Sequence, residues 1–243
     1  MKFLGLISFI WKIYIGIVFA VTLIIFYPIL LLILQFNKLK SWTFYINVLW
    51  SRIIRIFCFY AVNISDANSH IPNPIIICAN HTSYLDIFLM YSILPKNKFL
   101  FLGKGEILSY PFIRQFFKNL NIPVFRGDRI KSAQSLIRAR NEIKNNWSIV
   151  IFPEGGIPWN TPVLNPFKVG AFKLAISAQS PILPISFRDN YHLFSDPEDI
   201  WGIAHPGLCN VVFHPIIDKD QIQNSSEEEL SMLTFNLINS SLK

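Results

Sequence analysis

Charge is scarce in this chain. Lys, Arg, Asp and Glu make up 15% of its 243 residues, whereas 52% are hydrophobic and 22 are Phe. Ordinary soluble domains carry nearer ~25% charged residues. A chain with so little charge either encloses a very large core or lies against lipid. Cysteine is scarce as well. Cys58, Cys78 and Cys209 are odd in number and far apart, and two of them sit in apolar runs. They read as reduced, buried small hydrophobes of a protein facing a reducing compartment, and no metal site can be built from them. Gly-x-Ser-x-Gly is absent, which removes the usual strand-to-helix serine nucleophile. No RNA-binding signature, zinc-ligand spacing, internal repeat or low-complexity linker occurs. The length suits one large domain, or a domain with an appendage.

The charge that is present is unevenly placed. The formal net charge is +7, yet residues 96–144 hold eleven Lys or Arg and three acidic residues, a local net of +8. A basic patch seeks nucleic acid, anionic lipid or a phosphorylated substrate. In so apolar a chain, lipid and phosphate rank ahead of nucleic acid, and no nucleic-acid partner is expected.

From Ile13 to Asn37, 25 consecutive residues carry no charge, enough to span a bilayer. A signal peptide would be shorter and end at small residues. Gly16 and Pro28 interrupt the run, so it reads as one kinked span or as two half-length helices in one leaflet. Lys38, Lys40, Arg52 and Arg55 follow, which sets that flank on the cytoplasmic face of the cell inner membrane. A second stretch, "WTFYINVLWSRIIRIFCFYAV", reads either as a core helix or as an interfacial amphipathic helix with Trp42, Tyr45 and Trp50 at headgroup depth. Beyond residue 70 the pattern changes. "PIIICA", "KFLFLG", "NIPVF", "SIVIF", "PILPISF" and "CNVVFH" are short apolar runs bounded by Pro, Gly or Asn, and read as strands. Segments with helical spacing alternate with them, among them "SAQSLIRARNEIKNN", "KVGAFKLAISAQ" and the tail "SSEEELSMLTFNLINSSLK". The expectation is an α/β fold: a mainly parallel sheet flanked by helices, preceded by an N-terminal membrane-inserted helical segment. Residues 1–64 are expected to be the anchoring helices and residues 65–243 the α/β domain.

Between "PIIICA" and the helical "LDIFLMYSI" stands Asn80-His81-Thr82-Ser83-Tyr84-Leu85-Asp86. His81 therefore lies just past a strand, where open α/β sheets bind ligands. One reading of Asp86 is bland: Ser83-Tyr84-Leu85-Asp86 has the form of a capping box. The other is chemical. The turn before the helix lets the Asp86 carboxylate reach the His81 imidazole and fix its tautomer. The second ring nitrogen is then free to act as a base. Such a pair has no nucleophile of its own, and with Gly-x-Ser-x-Gly absent the substrate must supply one, most simply a hydroxyl.

The His-x-x-x-x-Asp of this stretch resembles the signature of the glycerolipid acyltransferases, in particular the 1-acylglycerol-3-phosphate acyltransferases. Other blocks follow in that family's order over roughly residues 70–215. "FLGKGEILSYPFIRQFFKNLNIPVFRGDR" resembles its second block, "IVIFPEGG" its third, "FKVGAFKLA" the segment after it, and "PILPISF" its fourth. The resemblance implies acyl transfer from a thioester, on coenzyme A or acyl carrier protein, to the hydroxyl of a lysophospholipid such as lysophosphatidic acid. It implies His81 and Asp86 as the catalytic pair, with Lys104, Arg126, Glu154 and Gly155 binding substrate. It implies no metal and no resident cofactor. Glu154 would accept backbone hydrogen bonds in the Gly-Gly turn, bind glycerol hydroxyls, or anchor Arg126. Amides near Gly103 or the Glu154-Gly155-Gly156 turn are candidates for an oxyanion hole.

One departure stands out. The family's third block usually continues Phe-Pro-Glu-Gly-Thr-Arg, but here Gly155 is followed by Gly156 and Ile157. The cation usually credited with holding the substrate phosphate is missing, and its role falls to Arg126, Lys104 or another cation such as Lys168. Otherwise the acceptor is a phosphate-free lipid such as a lyso-aminolipid. A non-catalytic lipid-binding protein is a third reading, against which the intact His81 and Asp86 argue.

Overall fold

The computed structural model describes residues 2–195 and 199–242. The chain opens with two helices, α1 (Lys2–Leu34) and α2 (Lys40–Phe57). The remainder alternates: β1 (Tyr60–Asp66), β2 (Ile76–Ala79), α3 (Leu85–Ile93), β3 (Phe99–Lys104), α4 (Pro111–Leu120), β4 (Ile122–Val124) and α5 (Arg129–Lys144). It continues with β5 (Ser148–Ile151), α6 (Gly170–Ala178), β6 (Ile182–Phe187), α7 (Asn190–Leu193), β7 (Gly207–Phe213), α8 (Lys219–Gln223) and α9 (Glu227–Ser240). Seven strands form one mixed, mainly parallel sheet in the order β1-β7-β6-β2-β5-β3-β4. Only the β6–β7 pairing is antiparallel. Helices flank the sheet, as the alternation of apolar runs and helical segments implies.

The central strands are apolar because both of their faces are covered. Every residue of β2, β5 and β6 is buried. The three cysteines are free and buried, and burial pushes the Cys78 thiol up to about 12. The terminal helix α9 begins with a capping box: Ser226 Oγ accepts from Glu229 N, and the Glu229 carboxylate accepts from Ser226 N.

In the N-terminal region the structure decides two open alternatives and departs from expectation in one place. Helix α1 runs unbroken through Gly16 and Pro28 for 33 residues, about 50 Å at 1.5 Å per residue. The stretch expected as a single helix, core or interfacial, divides into α2 and the edge strand β1, which pairs in parallel with β7. The boundary expected between residues 64 and 65 thus falls inside a strand. Trp50 is not at headgroup depth. It is buried, its ring stacks near Phe19 and Phe26 of α1, and its indole N–H donates to Thr22 Oγ1 at 2.9 Å. Trp42 and Tyr45 do remain exposed.

Helix α1 is the one helix among the described residues long and apolar enough to cross a membrane, with mean hydropathy 3.0 over its most apolar part. One face packs on the protein along its length: Tyr14 OH bonds Phe57 O, Thr22 receives Trp50, and Phe26 and Leu30 are buried. The opposite face, including Ile10, Ile13, Ile17, Val21, Ile24 and Leu32, is bare.

Candidate active site

Five adjacent strands, β6-β2-β5-β3-β4, point their C-terminal ends the same way. The residues just past those ends therefore form a row. Asn190 follows β6, His81 follows β2, Phe152 to Gly156 follow β5, Lys104 ends β3, and Arg126 lies two residues past β4. Asn80 extends the β2–β6 ladder with its side chain, donating to Phe187 O and accepting from Phe187 N, and so fixes the backbone on which His81 begins its turn.

His81 and Asp86 meet. The imidazole Nδ1 is 3.0 Å from Asp86 Oδ2, and the carboxylate is fully buried. The same oxygen accepts from the backbone N–H groups of Thr82 at 2.7 Å and Ser83 at 2.9 Å. Asp86 Oδ1 accepts from Asn190 Nδ2 at 2.6 Å. Ser83 Oγ donates to Phe194 O and accepts from Leu85 N. Asp86 thus accepts from the Ser83 N–H at the helix start and orients the histidine at once, but Ser83 Oγ bonds Leu85 N rather than Asp86 N, so the expected capping box is only half formed. With an acidic partner at Nδ1, the proton sits on that nitrogen, and Nε2 is left as an acceptor.

The third block supports the first. The Phe152 ring stacks on the imidazole, centroids 4.2 Å apart at 17°. Glu154 is buried, its Oε1 accepting from His81 N at 2.8 Å and its Oε2 from Asn165 N at 2.9 Å. Its partners are therefore backbone groups of His81 and of a distant loop, not of the Gly-Gly turn. Among the described residues it forms no ion pair with Arg126. Burial, opposed by these hydrogen bonds, pushes its carboxyl up to about 7.

Three cations converge on the Gly155-Gly156 turn. Gly155 has φ +85°, a conformation that favours glycine. A methyl group built on it would stand 2.7 Å from Lys168 Nζ and 3.0 Å from Arg126 Nη2. One built on Gly156 would stand 2.7 Å from Lys104 Nζ. None of these cations has a carboxylate partner among the described residues. Burial and the charges of Arg126 and Lys104 hold Lys168 below the ordinary range of a lysine. Lys168 reaches the turn because its backbone N–H is tied to Pro153 O at 2.9 Å. The Gly155 N–H donates to Phe152 O, so that amide is committed within the turn.

A buried carboxylate–imidazole pair beside an open cluster of unpaired cations fits base-assisted chemistry on an anionic substrate. Residues 62–188, just over half of the chain, match the profile of the family described as Acyltransferase. The chain belongs to that family. Within the acyltransferase family it is similar to a chloroplastic 1-acyl-sn-glycerol-3-phosphate acyltransferase of Brassica napus, 27% identical over 230 residues, 90% of this chain and 64% of that one. It is also similar to a 1-acyl-sn-glycerol-3-phosphate acyltransferase of Neisseria gonorrhoeae, 30% identical over 118 residues, 48% of this chain and 45% of that one. The chain thus spans about half to two thirds of the length of such relatives. Its fold is that of the crystal structure of a 1-acyl-sn-glycerophosphate acyltransferase from Thermotoga maritima, with TM-score 0.76 and 24% identity over 98% of this chain and 95% of that one.

Sequence reasoning on this site missed Asn190. It stands three residues past the strand-forming "PILPISF" run, much as His81 stands two past β2, and a polar residue at that edge was the available signal. Phe152 was read only as part of a motif, without its contact to the imidazole.

Proposed function

We propose that this acyltransferase moves a fatty acyl group from a thioester, on coenzyme A or acyl carrier protein, to the free hydroxyl of 1-acylglycerol-3-phosphate, making phosphatidic acid for phospholipid synthesis. The observation that carries the reading is the trio Lys104, Arg126 and Lys168 over the turn that follows β5. A phosphate monoester carries close to two negative charges near neutral pH, and burying it unpaired would be prohibitive. Three unpaired cations at one point suit such a group. The β5 end lies one strand spacing, ~4.8 Å, from the β2 end that carries His81. That matches the three bonds separating C2 of glycerol from the phosphorus on its C3 oxygen. Lys168 supplies the cation that Ile157 does not, which favours the phosphate acceptor over a lyso-aminolipid.

The chemistry follows from the parts. His81 Nε2 takes the acceptor hydroxyl proton as that oxygen attacks the thioester carbonyl, a general-base role worth ~10²–10⁴ in rate. Asp86 stabilises the resulting imidazolium. Collapse of the tetrahedral intermediate expels a thiolate, which then takes the proton from His81. A thiol pKa near 8.5 makes that departure undemanding. The bare face of α1 suits one leaflet of a bilayer, with Lys38 and Lys40 on the cytoplasmic side and the sheet edge at headgroup level.

The purified protein, offered lysophosphatidic acid and a lyso-aminolipid with one acyl thioester, should prefer the phosphate acceptor. Arg126→Ala and Lys168→Ala should each weaken its use about tenfold or more, because one charged hydrogen bond contributes ~1.5–3 kcal/mol. Arg126→Lys should recover only part, since the planar fork is lost. Preference for the aminolipid, with indifference to both substitutions, would replace this reading.

A further inference from the structure

A second apolar surface, outside α1 and α2, lies at the site's edge of the sheet. Between α7 and β7, Ile200, Trp201 and Ile203 are 53%, 65% and 50% exposed. They are fastened to the first turns of α1. The Trp201 ring packs on Phe9 with centroids 5.2 Å apart, and a methyl built on Gly5 would stand 4.0 Å from the same indole. Lys12 Nζ donates to Ser195 Oγ at 2.8 Å and also to Asp199 O. These are the turns on which the bare face of α1 begins, at Leu6, Ile7 and Ile10. The two surfaces are therefore continuous, and what covers one covers the other. A helical span of mean hydropathy 3.0 over Gly5–Leu34, uncharged from Ile13 onward, calls for lipid.

The segment is also tied to the catalytic pair. At its start Asn190 donates to Asp86, and Phe194 O accepts from Ser83 Oγ at 2.6 Å. Ser195 N donates to Ile203 O and His205 N to Leu193 O, which holds the two ends of the segment together. Few bonds separate the exposed indole from the carboxylate that orients His81.

We propose that Ile200, Trp201 and Ile203 insert into the same lipid leaflet as α1 and hold the mouth of the site at the depth of a membrane-borne acceptor. Trp at the headgroup boundary with isoleucines beside it is the composition such an element uses. The inference rests on the membrane reading of α1, and it assigns the loop a part that α1 alone does not supply: presenting the site to acceptors embedded in a bilayer.

The test uses the full chain on phosphatidylcholine–phosphatidylglycerol vesicles. Tryptophan fluorescence is quenched with lipids carrying a nitroxide near the headgroup, and Trp201→Phe should lose part of that quenching. The triple variant Ile200→Ser/Trp201→Ser/Ile203→Ser should still sediment with vesicles through α1. Its transfer to long-chain lysophosphatidic acid in vesicles should fall about tenfold or more, as expected when an acceptor is misplaced by ångströms. Transfer to a short-chain, water-dispersed lysophosphatidic acid should stay within about twofold of the unchanged protein. Equal quenching in Trp201→Phe, undiminished vesicle activity in the triple variant, or an equal loss on both acceptors would each overturn the proposal. Failure of the unchanged protein to sediment with vesicles would instead refute the membrane reading of α1 and the proposal with it.

Discussion

Asp86→Asn separates two roles of one carboxylate. Three donors meet at Asp86 Oδ2: His81 Nδ1 and the backbone N–H groups of Thr82 and Ser83. An amide nitrogen cannot stand there, so the asparagine oxygen must. Its NH₂ then faces Asn190, whose Nδ2 now donates to Asp86 Oδ1. Asn190 can turn over, because its Oδ1 is buried without a partner. The turned Oδ1 accepts from the new amide, and the number of hydrogen bonds is kept. The fold should survive, since weaker neutral bonds are offset by removing a fully buried charge. The tautomer should survive as well, because Nδ1–H still meets an oxygen. What is lost is the charge that stabilises the imidazolium. At about 4 Å and an effective dielectric of ~20 that attraction is ~4 kcal/mol, or ~10³ in rate at ~1.4 kcal/mol per decade. Thioester consumption with lysophosphatidic acid, measured beside thermal unfolding, should show a loss of ~10³ in kcat with little change in Tm. His81→Ala should fall in the general-base range of ~10²–10⁴, and the double variant should be little worse than the weaker single one, since the two act as a unit. A folded Asp86→Asn protein keeping more than about a tenth of the activity would refute the reasoning.

Glu154→Gln tests the buried carboxyl that joins the third block to His81. Its value in the fold, about 7, lies above the ordinary 4.5. The folded protein therefore binds the proton more tightly, and the stability this gives is full below about 4.5 and lost as pH rises through about 7. The span of about 2.5 units corresponds to ~3 kcal/mol. Glutamine has no such proton to lose, so denaturant unfolding at pH 5 and pH 8 should show a shallower decline in the variant; matching slopes would exclude the assignment. Asn190→Ala removes the 2.6 Å bond to Asp86 Oδ1 and leaves a buried charged oxygen short of a donor. It should cost ~2–3 kcal/mol of stability and lower kcat as Asp86 loosens, and an unchanged unfolding midpoint would contradict the role given to Asn190.

The strands that the sequence displays are those buried on both faces. β2, β5 and β6 are buried along their whole length and apolar but for Ser148 and Ser186, because helices cover them on each side. β1 has no such signature. It is an edge strand, bonded on one side to β7, and most of Tyr60–Asp66 is exposed, so its residues carry no continuous run to read. Its aromatic start merges with the end of α2, which is why one helix was expected where a helix and a strand stand. Pro28 left one span and two half-length helices both open, and the single helix is what forms. A missing N–H within a long apolar helix does not by itself end it, and α1 passes through Pro28 with Phe26 and Leu30 buried on either side.

The site was legible where its parts are close in sequence and hidden where they close through space. His81 and Asp86 share one turn, so their meeting could be read from spacing and from the capping pattern together. The convergence of Lys104, Arg126 and Lys168, each named from the sequence as a candidate, could not be read that way. Ile157 occupies the position at which the resemblance places an arginine, and a reading confined to that motif finds the function impaired. Lys168 stands eleven residues further on, beyond a loop that Glu154 ties down through Asn165 and that Pro153 O ties down through Lys168 N. That closure returns a cation to the Gly155 turn beside Arg126 and Lys104. The requirement for positive charge belongs to a point in space above the end of β5, and any residue the loop can carry there meets it. A motif records only the commonest way of supplying it.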